Sequence, residues 1–174
     1  TKDTSTAMVV GLPLQVGNGL YNCAAVLAEC HIKGIVPKQN MPNYGEFYEQ
    51  RWYKKWDQAD ASIVLNGDEI PFGNNFLFDV GGVLTGVEIC EDLWVRDAPS
   101  RLQAEQGALV IVNPSASNEL VGKASYRRQL VAQQSASLMV AYAYASSDPS
   151  ESTMDVVMSG HQMIVENGRI IEER

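Results

Sequence analysis

The stretch from residue 83 to residue 145 constrains this chain most. Three apolar, partly β-branched runs (83–89, 108–112 and 139–145) are separated by two stretches of helical pattern, 100–106 and 123–138. A strand–helix–strand–helix–strand order implies parallel pairing, because a parallel connection must cross over a face of the sheet and a helix is the usual crossover. The chain is therefore expected to be an α/β protein.

Outside that stretch the punctuation changes. Asn-Gly occurs at Asn18-Gly19, Asn66-Gly67 and Asn167-Gly168, each time between β-prone or apolar residues. That dipeptide favours the positive φ angles of a tight hairpin turn. Hairpins are expected at both ends and in the middle: 7–14 with 20–30, then a strand over 32–37, and 161–166 with 169–173. Antiparallel hairpins around a parallel centre make a mixed sheet. Residues 39–60, rich in aromatic and charged side chains, read as a long loop with a short helix, a size that is usually functional inside a compact domain. With 174 residues, 45% of them hydrophobic, the chain can bury one core, so 1–174 is read as a single domain.

Charge narrows the partners. A net charge of −8 leaves no basic surplus to neutralise phosphates, which argues for a small substrate and against nucleic acid. Cys23, Cys30 and Cys90 form no CxxC pair, so neither a disulfide framework nor a metal site is expected, and a reducing cytoplasm fits. Residues 1–6 lack the basic and apolar regions of a signal peptide, and no apolar run approaches the roughly 18 residues of a membrane span.

In open α/β sheets, ligands collect beyond the carboxyl ends of strands. Three ends carry chemistry here. Run 83–89 ends in Cys90-Glu91-Asp92, a thiol at a strand-to-loop turn, whereas a structural cysteine would more often lie within the run. Run 32–37 ends in Lys38; a lysine there is commonly a solvated boundary residue, but an ammonium beside a thiol favours the thiolate and an oxyanion. Run 108–112 ends in Asn113-Pro114-Ser115-Ala116-Ser117-Asn118, which locally reads as a capped turn. A nucleophile, a cation and a polar loop together would supply most of the equipment for acyl transfer.

Other candidates have blander readings. His31 and His161 are the only histidines, and His161, at the mouth of the last hairpin, is read as structural. Cys23 and Cys30 are expected in the core or at a strand edge, and Trp52, Tyr53 and Trp56 are expected to pack the 39–60 loop. Arg127 and Arg128, on a helix whose Leu130, Val131 and Leu138 seek the core, are expected at the surface or in ion pairs.

The segments also resemble a known family. Gly34-Ile35-Val36-Pro37-Lys38, with Pro42-Asn43-Tyr44 and Glu46-Phe47-Tyr48-Glu49 behind it, resembles the lysine loop of the glutaminase domain of glutamine-dependent NAD synthetases, a branch of the nitrilase (carbon–nitrogen hydrolase) superfamily. Gly86-Val87-Glu88-Ile89-Cys90-Glu91-Asp92-Leu93-Trp94 resembles the nucleophile segment, and Asn113 to Asn118 with Gly122-Lys123 resembles the substrate loop. Tyr126-Arg127-Arg128, Glu151-Ser152-Thr153, Gly160-His161 and Glu166-Asn167-Gly168 continue the match in order along nearly the whole chain. The resemblance implies a nitrilase-type α-β-β-α sandwich and hydrolysis of the L-glutamine side-chain amide. In that scheme Cys90 is the nucleophile, Lys38 stabilises tetrahedral intermediates, and Tyr44, Ser117, Lys123, Glu91 and Phe47 bind substrate. It implies no cofactor for that step, and ATP with Mg for a synthetase domain of the same polypeptide that uses the ammonia, in a homo-oligomer.

One departure matters. The family's general base is a glutamate in a Phe-Pro-Glu-like segment, and none occurs here. Residues 1–14 correspond to the strand that follows it, so the family's opening strands and first helix are expected upstream of Thr1 and its synthetase domain beyond Arg174, leaving a fragment incomplete as a catalyst. A stand-alone amidase acting on another amide and a non-catalytic interaction module remain alternatives. The leading reading requires the Cys90 sulfur and the Lys38 amine to share a pocket rimmed by Tyr44 and Ser117.

Overall fold

Alternate residues of one strand pack against two different layers. Along β2 (Gly19–Ala28), Ala24 and Val26 join Val36, Phe78, Val87 and Ile89 in one buried cluster, while Tyr21, Cys23 and Ala25 join Ile35, Trp56, Ile70 and Phe72 in another. Period-two alternation with both faces buried marks an inner sheet of a layered protein. The computed structural model describes residues 6–174, so expectations for residues 1–5 fall outside the described part.

The first sheet has the order β1-β2-β3-β5-β4, with β1 at Met8–Val16, β3 at His31–Pro37, β4 at Ala61–Leu65 and β5 at Asp68–Phe72. It is antiparallel except where β3 meets β5 at Ile35 and Phe72. The second sheet holds β6 (Phe78–Val80), β7 (Val83–Val87), β8 (Val110–Ser115), β9 (Ala141–Ser146), β10 (Gln162–Glu166) and β11 (Arg169–Glu173), in the order β11-β10-β9-β8-β7-β6. Its centre, β7-β8-β9, is parallel and its flanks are antiparallel. Both sheets are thus mixed. Helices α1 (Pro99–Glu105) and α2 (Lys123–Leu138) are the two crossovers, and Val131 of α2 packs into the cluster that holds Ile111, Tyr142, Tyr144 and Val165 of the second sheet.

Asn66-Gly67 and Asn167-Gly168 take the expected turn, with φ values of 53° and 92°, and of 47° and 79°. At the first hairpin the turn is displaced by one residue. Val16 pairs with Gly19, so Gly17-Asn18 forms the loop with only Gly17 at positive φ (55°). Glycine at the first turn position suits a type II′ hairpin as well as Asn-Gly suits type I′. Two strand boundaries also move. The nucleophile run stops at Val87, leaving Glu88 and Ile89 outside the strand. Strand β8 instead runs on through Asn113, Pro114 and Ser115, because these pair in parallel with Tyr144, Ala145 and Ser146. Among the described residues no helix is long and apolar enough to cross a membrane.

Candidate active site

Beyond Val87 the chain turns sharply. Cys90 opens a 3-10 turn, Cys90–Leu93, and holds φ at +48°, a left-handed conformation that few non-glycine residues adopt. Strain of this kind persists only where surrounding contacts enforce it. Two contacts do so. The Cys90 backbone N–H donates to Asn113 Oδ1 at 3.1 Å, and the buried Asp92 carboxylate accepts from the Ile89 N–H at 3.0 Å. Asp92 also accepts from the Gln39 and Asn40 backbone N–H groups at 3.1 and 2.8 Å and from Asn40 Nδ2 at 2.9 Å, so one carboxylate stitches the end of β3 to the nucleophile turn. Burial pushes its pKa up to about 6, against the opposing pull of these donors.

That stitch brings in Lys38. It sits at the end of β3, 1% exposed, with its Nζ 2.6 and 2.8 Å from the two carboxylate oxygens of Glu49. Glu49 comes from the short 3-10 turn Glu49–Arg51, the helix expected within 39–60. Lys38, Glu49, Cys90, Ser115, Ala116 and Ser146 all line one cavity of about 410 Å³. Cys90 and Lys38 therefore line the same cavity.

Its rim differs from the expected one. Tyr44 opens onto a neighbouring hollow of about 440 Å³ together with Glu91, and its hydroxyl lies 2.9 Å from both oxygens of that carboxylate. Phe47 meets the Tyr44 ring edge-on at 6.2 Å, and the Lys123 ammonium stands 5.7 Å from the Phe47 ring and 5.2 Å from the Trp94 ring. Tyr44, Phe47, Glu91 and Lys123 thus form one group, joined to the thiol through the Cys90-Glu91 peptide. The Asn118 side chain bridges Glu46 and Lys123. Partial burial and then its bond to Glu91 push the Tyr44 phenol up, burial raises Glu91, and burial followed by the nearby Arg127 charge lowers Lys123. Ser117 stands apart, buried behind the cavity, its N–H on Ser146 Oγ at 3.0 Å.

Arg127 forms the ion pair that the sequence reading allowed, with Glu119, but it is buried and not at the surface. It is 1% exposed; Nε donates to His161 Nδ1 at 3.0 Å, Nη1 to Ser117 Oγ at 3.3 Å and to the Asn118 carbonyl at 3.1 Å, and Nη2 to Glu119. Counting back one turn from the apolar Val131 would have found it, since Arg127, Val131 and Ser135 form the buried stripe of α2. Arg128 ion-pairs with Glu173, as expected of a partly exposed arginine. His161 is buried and structural in its contacts, bonded to Arg127 and, through Nε2 at 2.7 Å, to Glu173. Cys23 is in the core; Cys30 is exposed in the β2–β3 turn. Trp56 packs beneath the first sheet, while Trp52 is exposed under the Arg51 guanidinium. Asn113, Asp92 and Glu49 are structurally central beyond the individual residues the sequence singled out.

No family model matches the chain. Against curated proteins it is 39% identical, over 98% of its length, to the glutamine-dependent NAD(+) synthetase of Mycobacterium tuberculosis, and it spans 26% of that relative. Among solved structures, the glutamine-dependent NAD(+) synthetase of Cytophaga hutchinsonii superposes with a TM-score of 0.85 at 30% identity over 96% of this chain and 27% of that one. Saccharomyces cerevisiae Nit3, a member of branch 10 of the nitrilase superfamily, superposes with a TM-score of 0.73 at 18% identity over 94% of this chain and 53% of that one, a likeness of fold. A shared two-sheet fold and near-complete sequence coverage point the same way: over almost its whole length the chain is similar to one part of the glutamine-dependent NAD(+) synthetases, about a quarter of their length, and its fold is the nitrilase fold.

Proposed function

We propose that this chain forms the glutamine-hydrolysing site of a glutamine-dependent NAD(+) synthetase. The observation that carries the reading is the cavity lined by Cys90 together with the buried Lys38–Glu49 pair. The Cys90 sulfur attacks the side-chain amide carbon of L-glutamine while the Lys38 ammonium stabilises the oxyanion of the tetrahedral intermediate. The thiol proton passes to a carboxylate base and from it to the departing amine, which leaves as ammonia. Water then attacks the thioester and releases glutamate. By the resemblance, the base is the glutamate of a Phe-Pro-Glu-like segment; Glu49, bonded to Lys38 through both carboxylate oxygens, holds that ammonium in place.

In this scheme Tyr44, Phe47, Glu91 and Lys123 receive the amino-acid end of glutamine, with Glu91 suited to its ammonium and Lys123 to its carboxylate. Ser117 acts from behind through the Ser115–Ser146 wall. The ammonia serves a synthetase domain of the same polypeptide, which amidates deamido-NAD(+) using ATP and Mg; hydrolysis itself takes no cofactor. Assembly as a homo-oligomer belongs to the same reading.

The test uses the polypeptide that carries this chain. Glutamate release from glutamine should vanish in Cys90→Ala, and 6-diazo-5-oxo-norleucine should add to Cys90 as read by peptide mass spectrometry. A polypeptide that hydrolyses glutamine no faster than its Cys90→Ala variant, and takes up no label, overturns the reading. Turnover of another amide in its place favours the stand-alone amidase.

A further inference from the structure

Behind Cys90 runs a chain of buried polar groups that the reaction scheme does not use. Asn113 Oδ1 accepts from the Cys90 N–H at 3.1 Å and from Ser115 Oγ at 2.8 Å. Its other side, Nδ2, donates to the Tyr142 hydroxyl at 3.0 Å. The Tyr142 hydroxyl lies 2.5 Å from Glu88 Oε1, and Glu88 Oε2 accepts from the Ser100 N–H at 2.8 Å. Asn113 is fully buried, and Tyr142 and Glu88 are at most 1% exposed.

With Glu88 ionised, donor and acceptor capacity fixes the direction of every link. An amide NH₂ only donates, so Tyr142 accepts from Asn113 and must spend its own proton on Glu88. Glu88 then accepts on both oxygens, from Tyr142 and from Ser100. With Tyr142 oriented in this way, Asn113 presents its oxygen, and not its nitrogen, to Cys90. Were the amide reversed, an N–H would face the Cys90 N–H, two donors with no acceptor in a buried site, which costs about 1–3 kcal/mol. That is comparable to the strain of a left-handed non-glycine residue, about 1–2 kcal/mol. The acceptor below Cys90 is therefore large enough to decide whether its φ of +48° holds.

We propose that Glu88 is a positioning residue for the nucleophile: through Tyr142 it sets the orientation of the Asn113 amide, and through Asn113 it holds the Cys90 backbone in the conformation that presents the thiol to Lys38. The proposal deepens the glutamine-hydrolase reading and rests on it for its kinetic arm. Glu88 touches no substrate and moves no proton in the reaction. Its pKa, pushed up to about 7 by burial against the pull of Tyr142 and Ser100, fits a carboxylate retained in an apolar layer for the bonds it accepts.

The experiment compares Tyr142→Phe and Glu88→Gln with wild type in the full polypeptide by two readouts: glutamine hydrolysis, and the rate at which iodoacetamide alkylates Cys90, followed by peptide mass spectrometry. Tyr142→Phe cuts the chain in the middle and should lower kcat tenfold or more with KM within twofold, slowing Cys90 alkylation by a similar factor. Glu88→Gln keeps an oxygen for Tyr142 and should fall between wild type and Tyr142→Phe in both readouts. A purely structural role would lower the denaturation midpoint and leave kcat and alkylation alone. Folded variants that both stay within twofold of wild type in both readouts overturn the proposal. If Tyr142→Phe does not fold, Glu88→Gln decides by the same criterion. If wild type hydrolyses no glutamine, the reading of function has failed, and the alkylation rates still decide the positioning role.

Discussion

Glu49 holds Lys38 with both carboxylate oxygens, 2.6 and 2.8 Å from Nζ, and the lysine side chain has no exposed surface. A buried ammonium depends on the carboxylate bonded to it. The Glu91 and Asp92 carboxylates also act on the Lys38 charge, but Glu49 is the one paired with it, and breaking a buried pair typically costs about 3–5 kcal/mol. Glu49→Gln keeps the shape and removes the charge, so Lys38 should lose the ion pair that fixes its position, and with it the oxyanion contact. Glutamine hydrolysis should fall by about 10-fold or more. The urea midpoint should fall as well. Unchanged kcat in a folded Glu49→Gln variant would show that the ammonium needs no such anchor.

Two buried carboxylates near the nucleophile impose a pH dependence on stability. Burial raises Glu88 from 4.5 to about 7 and Asp92 from 3.8 to about 6. In both cases the folded chain binds its proton more tightly than the unfolded chain. Their contribution is then fully present below the unfolded pKa values and is lost as pH rises through the folded ones, between about pH 4 and about pH 7. For Glu88 the change is on the order of 3 kcal/mol. Urea melts at pH 4.5 and 7.5 measure it: Glu88→Gln should flatten the difference between the two pH values relative to wild type. An undiminished difference would place the titration elsewhere.

Gly67 and Gly168 hold similar backbone angles but different surroundings. A Cβ on Gly67 (φ 92°) would meet nothing within 4 Å, whereas one on Gly168 (φ 79°) would lie 2.9 Å from the Ala136 Cβ of α2. Gly67→Ala should therefore cost only the left-handed strain, about 1–2 kcal/mol. Gly168→Ala should cost distinctly more, because the last hairpin must move off the helix. Thermal midpoints of the two variants give the comparison directly, and equal losses would contradict it.

These contrasts show what could be read from the chain itself. The parallel centre of the second sheet was legible because apolar runs and helical stretches alternate between residues 83 and 145, and the two outer crossings follow from it. The placement of Cys90 and Lys38 beyond strand ends was legible from the apolar runs that precede them. The pairing of Glu49 with Lys38 was not, since nothing in an 11-residue loop separation says where a carboxylate returns. The ion pairing of Arg127 was legible from its charge, but its burial was not, because only the i, i+4 stripe through Val131 argues for it. Nor could the polar chain from Glu88 to Asn113 be seen: its links join residues 54 and 29 apart in sequence, through side chains whose donors match only once the sheet has formed.

The tautomer of His161 yields the sharpest test around Arg127. Arginine has no acceptor, so His161 Nδ1 must be unprotonated to receive its Nε–H, and Nε2 must carry the proton given to Glu173. An acceptor facing Arg127 and a donor facing Glu173 are what the site requires, and a glutamine side chain offers both. His161→Gln should therefore keep the Arg127 fork on Ser117 and Asn118, leaving KM for glutamine within about threefold, whereas His161→Ala should raise KM several-fold by loosening the loop. Arg127→Lys, which cannot span Ser117, Asn118 and Glu119 at once, should behave like His161→Ala and also lower the denaturation midpoint. Steady-state kinetics on the three variants separates the possibilities: a His161→Gln variant as impaired as His161→Ala would mean that the ring's shape, and not its hydrogen bonds, supports the loop.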